Sequence, residues 1–160
     1  MPAAPEEGTR LATTDDLARL SELAEAAVAE LRAGRGGEVW ARHAARQAPF
    51  EPALRAQIDD SDHLVLVGTV DDLVMGYGVG TIEVLPDGGR LGVVTDLYTD
   101  AGVRELGIGE AMMDELVAWC RDQGCFGVDS LALPGDRHTK NFFESFGLVA
   151  RAIVVHRSLP

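Results

Sequence analysis

Apolar residues in the first third of this 160-residue chain recur at the spacing of amphipathic helices. Between Leu17 and Leu31 they come every three or four positions, and two aspartates stand just before them, as is typical of a helix N-terminus. This pattern predicts a helix that ends at Gly34. The following stretch, Arg35 to Gln57, predicts two short helices that are broken at Pro49 and Pro52.

The middle of the chain changes to the alternating apolar pattern of β-strands. Residues 63–70 and 73–84 form two such runs on either side of Asp71-Asp72, and this arrangement predicts a hairpin. Pro86-Asp87-Gly88-Gly89 is typical of a second turn. A third run over residues 91–98 then completes an antiparallel meander.

The last third of the chain alternates between helical and strand patterns. Ile108 begins a stretch with one apolar face, which predicts a helix that ends by Gly124. A strand over residues 126–133 follows, then a short helix that stops at Gly147, and finally a strand over residues 150–156.

This order of elements predicts an α/β (α+β) fold. A flexible tail over residues 1–8 precedes one domain, 9–160, which opens with a short strand over residues 9–12. We expect a mixed, mostly antiparallel sheet of about six strands flanked by helices. Because a strand–helix–strand passage is normally a right-handed parallel crossover, the strands at 91–98 and 126–133 should be parallel neighbours. A ligand could enter between them.

Composition narrows the range of partners and compartments. The chain has 14 Lys and Arg against 26 Asp and Glu, a net charge of −12 that repels nucleic acid and anionic lipid. The apolar runs are far shorter than the ~20 residues of a membrane span, and no secretory leader is apparent, so we expect a cytoplasmic protein. Cys120 and Cys125 are expected to be reduced structural thiols, and four scattered histidines predict no metal site.

Two glycine patterns partly match the dinucleotide-binding fingerprint, which needs a third glycine three positions beyond the second. Met112 stands there after Gly107 and Gly109, and Thr81 stands there in the run Gly76-Tyr77-Gly78-Val79-Gly80, so a Rossmann site is not expected. The alternating glycines of that run are instead expected to leave one strand face bare for close packing of a helix.

The loop Arg104-Glu105-Leu106-Gly107-Ile108-Gly109 carries the clearest chemical signal, because it joins the third meander strand directly to a helix. Such a turn leaves backbone N–H groups without partners beside the positive end of the helix dipole. Two glycines let a phosphate approach the main chain, so the loop predicts a pyrophosphate cradle. Arg104 can bind phosphate or fasten the loop itself.

The R-x-x-G-x-G pattern of this loop resembles the acyl-CoA pyrophosphate motif of the GNAT-type N-acetyltransferases. Residues 141–148, Asn-Phe-Phe-Glu-Ser-Phe-Gly-Leu, resemble the second signature of that family, and the order of elements is similar from Thr9 to His156. The resemblance implies that acetyl-CoA binds as cosubstrate in a split between two splayed parallel strands. An amine of a small molecule or protein would then attack it directly in a ternary complex. The cofactor-binding residues that it implies are Leu97, Tyr98, Thr99, Arg104, Glu105, Leu106, Gly107, Ile108, Gly109, Glu110, Asn141 and Phe143.

Phe143 departs from the family pattern, since many members have there a Tyr that protonates the leaving thiolate. Tyr98 could supply this proton, although a strand residue whose hydroxyl reaches solvent or a carbonyl is the alternative. Asp96, on the same strand face as Tyr98, is the first candidate for the base that takes the ammonium proton, and Glu83 is the second. For both carboxylates a solvated surface position is the alternative. Asn141 either binds the cofactor or caps its helix.

Three hypotheses about function stay open at this point. The first is an acetyl-CoA-dependent N-acetyltransferase, the second is a non-catalytic acyl-CoA-binding or sensory module, and the third is an interaction protein that keeps the fold without the ligand. The acceptor amine is not specified, although an acidic chain favours a cationic one through electrostatic steering. A homodimer is also possible.

Overall fold

The computed structural model describes all 160 residues and contains one mixed sheet with helices on both faces. Sheet order follows chain order, with four antiparallel strands and a fifth that is parallel to the fourth. The predicted fold class and the predicted parallel crossover are therefore confirmed. The strands are β1 Glu7–Leu11, β2 His63–Val70, β3 Leu73–Val84, β4 Arg90–Thr99 and β5 Gly127–Asp129.

Five α-helices surround this sheet, together with single 3₁₀ turns at Thr14–Asp16 and Ala101–Val103. Pro52 does not break a helix as predicted. It lies in the first turn of its helix, where the missing N–H has no intrahelical acceptor to lose. The helices are α1 Leu17–Arg32, α2 Gly37–His43, α3 Phe50–Ile58, α4 Ile108–Asp122 and α5 Arg137–Ser145.

The two faces of the sheet carry separate cores. Helices α1 and α3 cover one face, where Leu20 and Leu54 are fully buried against residues of β2 and β3. Helix α4 covers the other face and lies very close to the alternating glycines of β3. A Cβ on Gly78 would lie 3.1 Å from Leu116 Cδ1, and one on Gly80 would lie 3.1 Å from Leu116 Cδ2. The prediction that these glycines admit a helix is confirmed.

Both ends of the chain differ from the prediction. Strand β1 begins at Glu7, inside the predicted tail 1–8, because Glu7 and Gly8 pair with Val70 and Thr69 of β2. The predicted last strand over residues 150–156 is absent, so the sheet has five strands rather than about six. Its backbone makes no hydrogen bond, and a strand exists only where a partner supplies the ladder.

Strand β4 is irregular where it matters for the site. Val79 of β3 opposes Asp96 and Gly80 opposes Val94, so Thr95 forms a β-bulge between them. On its other side, β4 pairs with β5 only as far as Val93, which lies opposite Asp129. Beyond the bulge, the edge of β4 that faces away from β3 is therefore open as far as Thr99.

Candidate active site

The loop after β4 presents a row of backbone N–H groups at the start of α4. Asp100 organises its first turn by accepting hydrogen bonds from Gly102 N at 3.0 Å through its side chain and from Val103 N at 3.0 Å through its carbonyl. The first backbone N–H of α4 to find a helical acceptor is that of Ala111, which donates to Gly107 O at 3.0 Å. The N–H groups of residues 108–110 precede it and lie at the positive end of the helix dipole.

Arg104 fastens this loop in the structure. Its Nε donates to Thr99 O at 3.0 Å, and Nη1 and Nη2 donate to the two carboxylate oxygens of Glu30 in α1 at 2.8 and 2.6 Å. The guanidinium also lies 5.4 Å from the centre of the Tyr98 ring. Hydrogen bonding to Glu30 raises the pKa of Arg104 above its ordinary value. Arg104 was predicted either to bind phosphate or to fasten the loop, and in the structure it fastens the loop.

A second carboxylate reaches the loop from the opposite edge of the sheet. Glu7 Oε2 accepts a hydrogen bond from Gly107 N at 2.9 Å. A carboxylate at a helix N-terminus is favourable, and it takes one of the donors that an anion would need. Sequence reasoning missed this contact because it placed Glu7 in a flexible tail, 100 residues away from Gly107.

Asp96 lies in a nearly buried polar cluster. Arg46 binds it through two hydrogen bonds, Nε to Oδ2 at 2.9 Å and Nη2 to Oδ1 at 2.7 Å. Tyr77 donates to Oδ2 at 2.9 Å, and Thr95 donates to Oδ1 at 2.7 Å. The Arg46 and Asp96 side chains are only 9% and 11% exposed. The alternative that Asp96 is a solvated surface carboxylate is therefore wrong.

The cluster also shifts the pKa values of Tyr77 and Arg46. Burial, followed by the negative charge of Asp96, raises the pKa of Tyr77 well above its ordinary value. Burial is the largest single effect on Arg46 and lowers its pKa, but the hydrogen bonds and charge of Asp96, together with Tyr77, outweigh burial and the net shift is upward. Sequence reasoning missed both residues, because Arg46 lies in the loop between α2 and α3 and no local pattern links it to β4.

Tyr98 and Glu83 have different surroundings. Tyr98 is half-buried beside Arg104 and Glu30, and burial, followed by the charge of Glu30, raises its pKa. It therefore keeps its proton near neutral pH. Glu83 is exposed and lies four residues along β3 from Val79, the residue opposite Asp96, which corresponds to about 13 Å. The structure does not bring Glu83 together with Asp96 and Tyr98.

Helix α5 closes the side of the loop next to β5. A Cβ on Gly109 would lie 3.9 Å from the Phe142 ring, and Phe143 packs edge-on against Phe142 with ring centres 5.6 Å apart. Asp136 caps the helix by accepting from Thr139 N at 3.1 Å. Asn141 is exposed in the middle of the helix, so the alternative that it serves as a cap is wrong.

A groove of about 420 Å³, within the range of small-molecule sites, is lined in part by Glu30, the ion-pair partner of Arg104. One wall is formed by the end of α1, including Glu30, and by Gly34 and Arg35 just after it, and the other wall is formed by residues 133–136. A larger hollow of about 660 Å³ between α1 and α3 is lined by Phe50 and Arg55 and by neither Arg104 nor Glu30. We therefore place the candidate site at the smaller groove, which shares Glu30 with the Arg104 ion pair.

Other reactive groups lie away from this site. Burial, followed by the neighbouring Cys125, raises the pKa of Cys120 to about 11, so its thiol is not a nucleophile near neutral pH. No three His, Cys, Asp or Glu side chains are grouped so that they could hold a metal ion. The chain also has no helix with the length and apolar character that crossing a membrane requires.

Comparison with known proteins identifies the family that builds this strand–loop–helix arrangement. Residues 21–148 match the Acetyltransferase (GNAT) family. The chain belongs to this family. All of the loop, β4 and α5 lie within the matched region, so the resemblance carried by R-x-x-G-x-G and by residues 141–148 is confirmed.

Individual relatives of this GNAT-family protein differ in how much they share with it. The chain is 35% identical over 89 residues to glucosamine 6-phosphate N-acetyltransferase 1 of Oryza sativa subsp. japonica, a match that covers 49% of this chain and 53% of that protein. The chain thus spans about half the length of this curated relative.

Solved structures extend the likeness over nearly the whole chain. Glucosamine-6-phosphate N-acetyltransferase from Arabidopsis thaliana has a TM-score of 0.68 and 18% identity, covering 97% of this chain and 99% of its own. A transcriptional regulator from Bacillus halodurans C-125 has a TM-score of 0.72 and 16% identity, covering 96% and 100%. At these identities the likeness shows the GNAT fold alone.

Proposed function

We propose that this protein is an N-acetyltransferase that moves the acetyl group of acetyl-CoA to a primary amine in a ternary complex. The observation that carries the proposal is the set of backbone N–H groups at residues 108–110, which lies where the open edge of β4 ends. These donors suit a pyrophosphate, and the open backbone of residues 97–99 suits an amide-containing chain that leads away from it.

The other residues that the family resemblance implies are expected to contribute to cofactor binding to different extents. Ile108 can offer only its N–H, because its side chain is fully buried. Glu105 and Glu110 are exposed carboxylates beside the proposed phosphate position, and we expect them to weaken rather than strengthen binding. Leu106 is half-buried in the loop, and Asn141 and Phe143 would face the cofactor from α5.

Acetyl transfer needs a group that takes the ammonium proton, because only the neutral amine attacks the thioester carbonyl. We propose Asp96 for this part. Of its four hydrogen-bond donors only Thr95 is exposed, so an amine or a water would reach Asp96 Oδ1 by replacing the Thr95 hydroxyl. Glu83, exposed and about 13 Å further along the sheet, is the second candidate.

The leaving thiolate has no donor at Phe143, and we propose Tyr98 in its place. Its raised pKa keeps the phenol protonated and able to donate. Since a thiol of pKa about 8.5 leaves tolerably as an anion, this donor should contribute modestly. Tyr98→Phe is expected to lower kcat, while an unchanged kcat would remove Tyr98 from the mechanism.

We propose that the acceptor is an amine that enters by the groove beside Glu30. The net charge of −12 favours a cationic amine through steering. Glucosamine 6-phosphate, for which the rice relative is named, is the anionic test case in a panel with polyamines, aminoglycosides and peptide amines. We further propose a cytoplasmic setting with neither nucleic acid nor membrane as partner, since the same charge repels both.

Cofactor binding is tested by thermal unfolding with and without acetyl-CoA. Gly109→Glu places a carboxylate in the proposed phosphate position, and its Cβ would meet Thr99 Oγ1 at 3.4 Å and the Phe142 ring at 3.9 Å, both ordinary contact distances. Gly102→Glu adds the same charge earlier in the loop and is the matched control, with its Cβ 3.4 Å from Asp100 Oδ1. At 100 times Kd the wild type and the control should gain about 2.7 kcal/mol, several degrees, and Gly109→Glu should gain little.

Thermal unfolding and an assay of thiol release together distinguish the three hypotheses about function. Absence of any shift for the wild type at millimolar acetyl-CoA would reject the cofactor and leave an interaction protein on this fold. A shift without thiol release against the amine panel would favour the non-catalytic module. A shift with thiol release that depends on an amine supports the acetyltransferase.

A further inference from the structure

Glu30 joins the R-x-x-G-x-G loop to the groove beside it. Its two carboxylate oxygens accept hydrogen bonds from Arg104 Nη1 and Nη2 at 2.8 and 2.6 Å, and its side chain also lines the groove, which Arg104 does not. The Arg104 and Glu30 side chains are 43% and 49% exposed. An ion pair this exposed to water contributes little to stability, so a stronger partner can replace either member.

Acetyl-CoA would offer Arg104 such a partner. A pyrophosphate carries more negative charge than a carboxylate and matches the planar fork of a guanidinium. Arg104 precedes by four residues the N–H groups of residues 108–110, where we propose that the pyrophosphate binds. Both terminal nitrogens of Arg104 are held by Glu30 in the structure, so their transfer to the pyrophosphate would leave Glu30 without its partner.

The charges that line the groove show what this transfer would change. They are two carboxylates, Glu30 and Asp136, and one guanidinium, that of the exposed Arg35. With Arg104 paired to Glu30, the two negative charges are balanced by two positive ones. Without Arg104, one negative charge is left over, and a cation that enters the groove can balance it.

Glu30 also lies close to the groups that the proposed reaction uses. Burial, followed by the negative charge of Glu30, raises the pKa of Tyr98, the proposed donor to the thiolate. Asp96, the proposed base, is two residues from Tyr98 along β4, about 7 Å. A cationic group held at Glu30 therefore leaves a second amine, on a short methylene chain, within reach of Asp96.

We propose that Glu30 is a specificity-determining residue that passes from Arg104 to a second cationic group of the acceptor when acetyl-CoA binds. The acceptor would then be a diamine or polyamine, in which one amine reacts in its neutral form and another keeps its charge at Glu30. Leu31, Leu133 and Pro134 give the groove an apolar lining that suits the methylene chain between the two. This inference rests on the proposed acetyltransferase function and names its substrate class.

Thiol release with putrescine, compared with butylamine of the same chain length, tests the substrate class. The wild type should prefer putrescine, and Glu30→Gln should lower the putrescine-to-butylamine ratio of kcat/KM about tenfold, because a charged hydrogen bond to the second ammonium is lost. The loss should fall on KM, since Glu30 binds the amine that does not react. Glu25→Gln removes the same charge from an exposed position of α1 outside the groove and should leave the ratio unchanged.

Titration calorimetry with coenzyme A, which cannot transfer an acetyl group, tests the exchange of partners. Coenzyme A should raise the affinity of the wild type for putrescine about fivefold, and putrescine should raise the affinity for coenzyme A by the same factor. Glu30→Gln should abolish this coupling. It should also bind coenzyme A about two- to fivefold more tightly when no amine is present, because no carboxylate competes for Arg104.

The results that would overturn this inference differ from those that would overturn the proposed function. If acetyl-CoA stabilises the wild type and amines release the thiol, but Glu30→Gln keeps the wild-type ratio, Glu30 does not select the acceptor. If Glu30→Gln weakens the binding of both coenzyme A and putrescine, Glu30 only fastens the loop. If acetyl-CoA does not stabilise the wild type at all, the proposed function fails and this inference fails with it.

Discussion

Two carboxylates hold donors that a phosphate would use at the start of α4. Glu7 accepts from Gly107 N at 2.9 Å, and Glu30 binds both terminal nitrogens of Arg104. An anion that enters the loop must compete with these carboxylates for Gly107 N and for the Arg104 guanidinium, because both are already paired. The free protein is thus stabilised by the same groups that the proposed cofactor needs.

Glu7→Gln is expected to tighten acetyl-CoA binding by about two- to fivefold, which corresponds to the ~0.3–1 kcal/mol of a charge at a helix terminus. Titration calorimetry measures the change. Glu6→Gln removes the same formal charge from the neighbouring position, where the side chain has no contact with the loop, and is the control. Weaker binding by Glu7→Gln would mean that Glu7 supports the cofactor instead of competing with it.

The nearly buried ion pair between Arg46 and Asp96 affects the stability of the fold. Removing one member of a buried ion pair leaves the other charge without compensation, at a cost of about 3–5 kcal/mol. Arg46→Met should therefore lower the free energy of unfolding by about this amount in urea denaturation. Arg42→Met, at an exposed arginine four residues earlier, should change it by less than about 0.5 kcal/mol. A similarly small effect of Arg46→Met would show that water solvates Asp96 adequately.

Single elements were predictable where local chemistry supports them. The β2–β3 hairpin has the predicted bounds because alternation fixes both strands and because Asp71 and Asp72 adopt φ values of 49° and 66°, as a type I′ turn requires. Strand β5 is shorter than predicted, since only residues 127–129 find a partner on β4. An apolar run therefore predicts that a strand can form, while its length depends on the neighbouring strand.

The junction between β1 and α1 gives a pH-dependent prediction. Asp16 accepts from Thr13 N at 2.8 Å and from Arg10 Nη1 and Nη2 at 2.7 and 2.8 Å. Hydrogen bonding to Arg10 lowers the pKa of Asp16 despite partial burial of the carboxylate. Because the folded-state pKa is depressed, this contribution to stability is present above the unfolded pKa of about 3.9 and is lost as pH falls through the folded value.

Asp16→Asn should lower the free energy of unfolding by about 1–2 kcal/mol at pH 7, and the difference from wild type should shrink as the pH falls from about 5 to about 2. Urea denaturation across this range measures it. Asp15→Asn, at the exposed neighbouring aspartate, should show neither effect. A difference that persists undiminished in acid would point to packing rather than to charge.

At the scale of the whole molecule, the sheet has five strands and ends at β5, with no further strand paired to its outer side. The predicted sixth strand over residues 150–156 has the composition of a strand, but its backbone makes no hydrogen bond to the sheet. A strand forms only where the rest of the molecule offers an edge that its backbone can pair with.

The sequence by itself determined the order of elements as far as α5, the parallel crossover, the R-x-x-G-x-G loop between β4 and α4, and the family, because periodicity, turn chemistry and the spacing of glycines are properties of short stretches of chain. Tertiary structure alone decided which groups share the site. Glu7 reaches Gly107 across 100 residues, Glu30 reaches Arg104 across 74, and Arg46 reaches Asp96 across 50. Such pairs form because packing of the helices on the sheet brings distant segments together, and no local pattern records that distance.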